Sequence, residues 1–372
     1  MKRFWLSATA MMLPVALVAQ EQVEFANHTW STAGTVRVER YLGRPALRMR
    51  GGRALLEGVQ FTNGTIEFDI AVTGHRSFVG LTFRRSEAGS QAESFYLRPH
   101  QSGRFDAVQY TPVENGISAW QLFPEGNAEV MIPADEWIPV RLVVAGSDLT
   151  VFVGNESEPA LTARLATDRT SGPIALNSGV PGGTSGISAP PEILTTAFSN
   201  FRVTPNPNPV AMAEYQAPDP RFVTAWEVSP AVAGPEEAPT KLSDDLVPAD
   251  GWVSTVTDYT GRLNLARYRA IPEDANRGMV VARTAITSDR DQVKRLGIGF
   301  SDVGSVFVNG DLVYTANNAF LARSGRYLGV MTIEDRISVP LKQGRNEIVV
   351  AVIENFGGWG LVAKWDDLDG IE

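Results

Sequence analysis

The sequence predicts an all-β protein made of two antiparallel β-sandwich domains. Three observations carry this. Short apolar runs alternate with polar residues at the two-residue period of half-buried strands. Turns rich in Gly, Asn, Asp and Pro separate these runs at short intervals. No long segment shows a helical period.

In chain order, the first clear strand is 65–72, TIEFDIAV. Ile66, Phe68, Ile70 and Val72 face one way; Glu67 and Asp69 face the other. Asn63-Gly64 before it is a turn signal. Runs at 78–83, 95–97, 106–110, 139–145 and 149–153 continue the pattern, with Gly146-Ser147-Asp148 joining the last two as a hairpin. A final strand is expected within 193–203. The Gly-, Ser- and Pro-rich stretch 177–191 reads as a surface excursion. Prolines then break the rhythm over TPNPNPVAMAEYQAPDP, because each removes a backbone donor and favours an extended chain.

The first domain is therefore expected over 21–204, a Pro-rich semi-rigid linker over 205–220, and the second domain over 221–372. In the second half, strands are expected at 225–228, 279–286, 295–300, 305–308, 312–314, 336–341, 347–353 and 359–365. Asn309-Gly310 is a strong hairpin turn, since a type I′ turn needs positive φ at both central residues.

Residues 1–20 read as a signal peptide: Lys2 and Arg3 precede an apolar run broken by Pro14. That run is short for a membrane span. The expected location is exported, periplasmic or extracellular, with no membrane span after signal removal. The net charge is -9, and an acidic surface repels phosphate backbones, so no nucleic-acid partner is expected. There is no cysteine. Disulfides, thiolate nucleophiles and cysteine-ligated zinc are thereby excluded.

The first half resembles the concanavalin A-like lectin/glucanase superfamily, in particular laminin-G-like and 3-keto-glycoside hydrolase-like domains. GTIEFDI, FVGLTFRR, FYLRPHQSGRFDAVQYTPVENGISAW, WIPVRLVV, DLTVFV and FSNFRV carry the resemblance. It implies a two-sheet jelly roll whose concave face commonly receives glycans. The second half resembles a galactose-binding-like β-sandwich through SVFVNGDLVY, VPLKQGRNEIVVAVIE and FGGWGLVAKW. Fold alone does not fix an activity.

Glu67 and Asp69 share a strand face and are candidate catalytic carboxylates. The resemblance to laminarinase-like members implies a further glutamate two or three positions on, where this chain has Ala71 and Val72. A solvated or arginine-paired strand face is the plainer reading of the two acids. His100, in a polar turn, is a candidate ligand contact or proton-transfer group, or an ordinary loop histidine. Arg98, Gln109, Tyr110, Asn115 and Trp120 form the candidate binding constellation. Sugars present apolar faces to aromatics and hydroxyls to amides and guanidinium groups. The same residues also suit core packing and an internal ion pair. Phe356-Gly357-Gly358-Trp359-Gly360 is either a ligand surface or a bulged strand with a buried tryptophan.

No cofactor is expected. Calcium is compatible with a β-sandwich, but no ligands are assigned; Asp289, Asp291 and Asp302 match no dedicated loop. These features lead to an exported carbohydrate-binding protein without clear catalytic apparatus, taking a glycan or other polar ligand. A glycoside-acting hydrolase or lyase using the concave face of the first sandwich is one alternative. A structural or adhesion module of the envelope, with a protein partner, is another.

Overall fold

The computed structural model describes residues 21–179, 187–210, 217–243, 246–333 and 335–372. The expected signal segment 1–20 and parts of the expected excursion and linker lie outside the described residues.

The first half holds β1 (Glu21–Phe25), β2 (His28–Tyr41), β3 (Arg44–Leu56), β4 (Gly64–Val72), β5 (Val79–Phe83), β6 (Ala92–Leu97) and β7 (Val108–Glu114). It continues with β8 (Ile117–Ser118), β9 (Asn127–Ala128), β10 (Ile138–Ala145), β11 (Asp148–Val153), β12 (Leu161–Arg164), β13 (Ala175–Ser178) and β14 (Thr196–Pro205). All are linked in one antiparallel network, with β12-β11-β10-β4-β14-β3-β13-β5-β6-β7-β8 as its path. The network folds over a core that includes Trp30, Phe61, Phe68, Phe83, Phe95 and Phe198. The alternation read in β4 is observed: Ile66, Phe68 and Ile70 are in this core.

Strands β1 to β3 fall where alternation predicts no strand. β13 includes Asn177 and Ser178, so the expected excursion begins later than 177. Its far side is held down, because Arg50 donates to the carbonyls of Ala189 and Ile193 and Arg48 donates to that of Leu194.

The second half holds β15 (Ala225–Val228), β16 (Val232–Ala233), β17 (Val253–Val256), β18 (Arg262–Asn264), β19 (Gly278–Ser288) and β20 (Gln292–Ser301). The remainder are β21 (Val303–Val308), β22 (Asp311–Asn317), β23 (Asp335–Leu341), β24 (Gly344–Glu354) and β25 (Gly360–Trp365). A seven-stranded and a four-stranded antiparallel sheet enclose a core that includes Trp226, Phe300, Trp359 and Trp365. Asn309 and Gly310 have φ of 51° and 91°, as the hairpin reading requires. The stretch 234–251 reads from sequence as a loop with proline and acidic residues. Its Leu242 and Leu246, with Trp252 just after it, pack over the outer face of the larger sheet, against Val281, Phe307 and Ile353.

The two halves share a continuous seam. Ala119, Leu122 and Phe123 pack with Met331 and Val362. Buried Arg262 lies over the Phe123 ring at 3.7 Å, donates to the Leu122 carbonyl and pairs with both Glu125 and Asp258. Among the described residues, no helix is long and apolar enough to cross a membrane.

Candidate functional site

Strand β4 sets the site, because one face feeds the core and the other carries Glu67, Asp69 and Ala71. Its register places Glu67 between Arg141 of β10 and Arg202 of β14, and Asp69 between Pro139 and Ser199. A bulge between Ser199 and Arg202 turns Asn200 into a left-handed conformation, φ 50°. Bulges re-aim side chains in this way. Here Asn200 Nδ2 donates to Asp69 Oδ2 at 2.6 Å. Arg44 pairs with the same carboxylate. Arg202 approaches Glu67 at 3.9 Å, and Arg141 stacks over the Phe152 ring at 3.8 Å.

Glu67, Asp69, Arg141, Asn200 and Arg202 line an open cleft of about 650 Å³, with Asn155 and Glu156 on its rim and Phe25, Phe152 and Phe201 beneath. The cleft thus offers carboxylate acceptors, guanidinium and amide donors, and some apolar surface. The next outward position on β4 is closed. Ala71 joins Ala46 and Ala197 in a patch packed against Tyr41 and Trp137. Those two rings meet edge-on at 6.2 Å, with Arg48 over Tyr41 and Arg44 over Trp137. The position therefore supplies no third carboxylate. It is a small-residue floor under an aromatic cover.

The cleft brings together two of the candidates, Glu67 and Asp69. His100 is elsewhere. It lies in the short 3-10 turn Pro99–Gln101, edge-on to Phe78 at 5.4 Å. Burial lowers its pKa to about 4, helped by the positive charges of Arg76 and Arg98.

The five candidate binding residues do not share one surface. Arg98 forms an ion pair with Asp106. Gln109 accepts from the Tyr96 hydroxyl at 2.8 Å and donates to Asn127 at 2.6 Å. Tyr110 is a core residue; its hydroxyl donates to Glu93 at 2.7 Å and accepts from the Ala166 amide at 2.9 Å. Burial and the neighbouring Glu93 hold its pKa well above the usual phenol range. Asn115 donates to the Ala266 carbonyl across the seam at 2.8 Å. Trp120 also lies at the seam, edge-on to Phe320 at 6.2 Å and Phe356 at 6.0 Å.

The three aspartates weighed for calcium have protein partners. Asp289 pairs with Arg290, Asp291 accepts from the Gln343 amide at 2.7 Å, and Asp302 accepts from the amides of Asn355 and Phe356, each at 2.7 Å. No group of three or more His, Asp or Glu suited to a metal ion occurs among the described residues.

Sequence reasoning missed the companion of Asp302. Glu354 is 2% exposed and accepts from the Gly358 amide at 3.3 Å. Burial raises the pKa of Asp302 to about 6. Burial and then the Asp302 charge raise that of Glu354 to about 8. Both acids sit under the turn 355–358, whose Gly357 carbonyl accepts from the Gln121 amide of the first half at 2.9 Å. An acidic residue closing an apolar strand run, IVVAVIE, is the signal that marks Glu354.

No protein-family model matches the chain, and no curated protein does. Solved structures do resemble part of it. The carbohydrate binding module CBM66 from Bacillus subtilis is 17% identical over 46% of this chain and 92% of its own, with a TM-score of 0.34. A Bacillus subtilis protein of unknown function with a galectin-like fold is 11% identical over 47% and 88%, also at 0.34. The Bacillus licheniformis β-glucanase is 14% identical over 48% and 92%, at 0.32. At such values the likeness assigns neither a ligand nor a residue.

Proposed function

We propose that this protein is exported and binds a glycan in the cleft beside β4, without cleaving it. The observation that carries the proposal is the open cleft itself. Its polar groups reach solvent from Glu67, Asp69, Asn200, Arg141 and Arg202, over an apolar floor. Hydroxyl-rich ligands match such a mixed set of donors and acceptors. The sequence resemblance to glycan-handling jelly rolls points the same way, and the signal-like segment 1–20 supports export.

Binding is favoured over hydrolysis because the next outward position on β4, where the laminarinase-like resemblance implies a further glutamate, is Ala71 in a packed patch. Asp69 is also engaged by both Arg44 and Asn200.

Calorimetric titration of the full chain with β-glucan, xylan, galactan and fructan oligomers tests this. At least one oligomer is expected to bind. Glu67→Gln and Arg202→Ala are each expected to weaken it about ten-fold, the scale of one lost charge-assisted hydrogen bond. Undiminished binding in both variants would overturn the cleft assignment. Release of new reducing ends by the wild type, abolished in Glu67→Gln, would replace binding with hydrolysis.

A further inference from the structure

Among the described residues, three groups between positions 98 and 106 hold buried polar atoms without a close hydrogen-bond partner: Arg98 Nε, the His100 imidazole, approached only by the Ser77 carbonyl, and Asp106 Oδ1. They belong to one cluster. Arg98 pairs with Asp106, and both Arg98 and His100 lie against the Phe78 ring, at 5.7 Å and 5.4 Å. Tyr96 meets the same ring edge-on at 5.9 Å. Asp106 is 4% exposed.

An unpartnered buried polar atom costs on the order of 1–3 kcal/mol, so native proteins rarely leave several together. In such a cluster water or a ligand makes the missing bonds. The donor and acceptor count says which kind of ligand. A neutral imidazole presents one N–H, which faces the Ser77 carbonyl, and one lone pair; Arg98 Nε adds a donor and Asp106 Oδ1 an acceptor. An anion would leave both acceptors unmet and oppose Asp106. A cation would oppose Arg98 and leave its Nε donor unmet. Hydroxyl groups, which donate and accept at once, match the set.

Access is also present. Arg76 is exposed and holds its guanidinium 5.5 Å from the Phe78 ring centre. Its side chain has no hydrogen-bond or ion-pair partner among the described residues, so it can leave the ring without breaking either. None of these residues lines the cleft beside β4.

We propose that Phe78, Arg98, His100 and Asp106 form a second, separate ligand pocket that takes one sugar unit. The apolar face of the sugar replaces the Arg76 guanidinium on Phe78, and its hydroxyls engage Arg98 Nε, the imidazole and Asp106 Oδ1. This site stands independently of the cleft.

The test follows the ring nitrogens of the histidines by NMR in the full-length protein, with His28→Gln and His75→Gln used for assignment. Glucose, galactose, xylose, mannose and their β-linked tetramers are the probes. The His100 resonances are expected to move with at least one of them. His100→Phe keeps a ring and removes its nitrogens, and is expected to weaken that ligand about ten-fold, the scale of one or two hydrogen bonds. Arg76→Ala is expected to bind at least as tightly as wild type. Glu67→Gln is expected to leave the His100 response unchanged. The proposal is overturned if the His100 resonances stay fixed with every probe, since bound water alone then satisfies the cluster. It is overturned equally if Glu67→Gln abolishes the response, which would place the ligand in the cleft.

Discussion

Glu93 is fully buried beneath the first sandwich and shows how its interior uses polar residues. One carboxylate oxygen accepts from Tyr110 at 2.7 Å; the other accepts from the Thr167 hydroxyl at 2.7 Å and its amide at 3.0 Å. Burial raises its pKa, while these bonds and Arg84 oppose the rise. Tyr110→Phe would remove one donor from Glu93 and one acceptor from the Ala166 amide. The expected cost is about 1–3 kcal/mol, read as a lower urea midpoint at unchanged slope; an unchanged midpoint would count against this network. The same residue explains what sequence withholds. A phenol suits a ligand hydroxyl and an internal carboxylate equally well, and nothing within 95–123 names its partner. Tyr110, Gln109 and Arg98 meet Glu93, Asn127 and Asp106, each fixed by strand pairing or a turn. Glu67 and Asp69 were easier to place, because strand parity alone puts them opposite the core.

Among the strands, β4 and β2 mark the limits of legibility. β4 alternates between buried and half-buried residues from Gly64 to Ile70, so burial writes alternation into its sequence there. β2 is exposed over most of its second half, and an exposed ribbon imposes no apolar period. Its pairing with β3 depends instead on glycine. The register shifts between Ala33 and Thr35, where Gly52 crosses the strand with φ 79°. A Cβ on Gly52 would come within 1.9 Å of the Ala33 carbonyl oxygen. Gly52→Ala is therefore expected to cost more than about 2 kcal/mol, since the backbone itself must move. Gly43 also has φ 79°, but a Cβ there would meet nothing within 4 Å. Gly43→Ala is expected to cost only about 1 kcal/mol. Thermal melts followed by circular dichroism compare the two; equal losses would mean that the crossing does not constrain the hairpin.

Across the whole molecule, the seam joins the halves largely through backbone acceptors, at Leu122, Ala266, Leu328 and Gly357. Carbonyl oxygens leave no side-chain pattern, which is why the prolines of the connection were legible and the docking was not. The second half presents the turn 355–358 to Gln121 from above Asp302 and Glu354. The groups facing these acids are the Ser301 hydroxyl, which also meets Gln121, and the amides of Asn355, Phe356 and Gly358. No cation is among the causes of their shifted pKa values. Glu354 titrates near 8 when folded, against 4.5 for the ordinary group. The folded state then holds the proton more tightly, and its advantage is complete below the ordinary value. Stability is lost as pH rises toward the folded value and levels off above it. Wild-type melting temperature is accordingly expected to fall from about pH 4.5 to about pH 8, with the Asp302 shift adding to the loss below about pH 6. Glu354→Gln keeps the size and the Gly358 bond but cannot ionise. It is expected to flatten the upper part of the profile and to melt above wild type at pH 9. Small-angle scattering on the same samples reports whether the halves separate as the charge forms. Parallel pH profiles for wild type and Glu354→Gln would remove Glu354 as the titrating group and leave the seam to its packing and its backbone bonds.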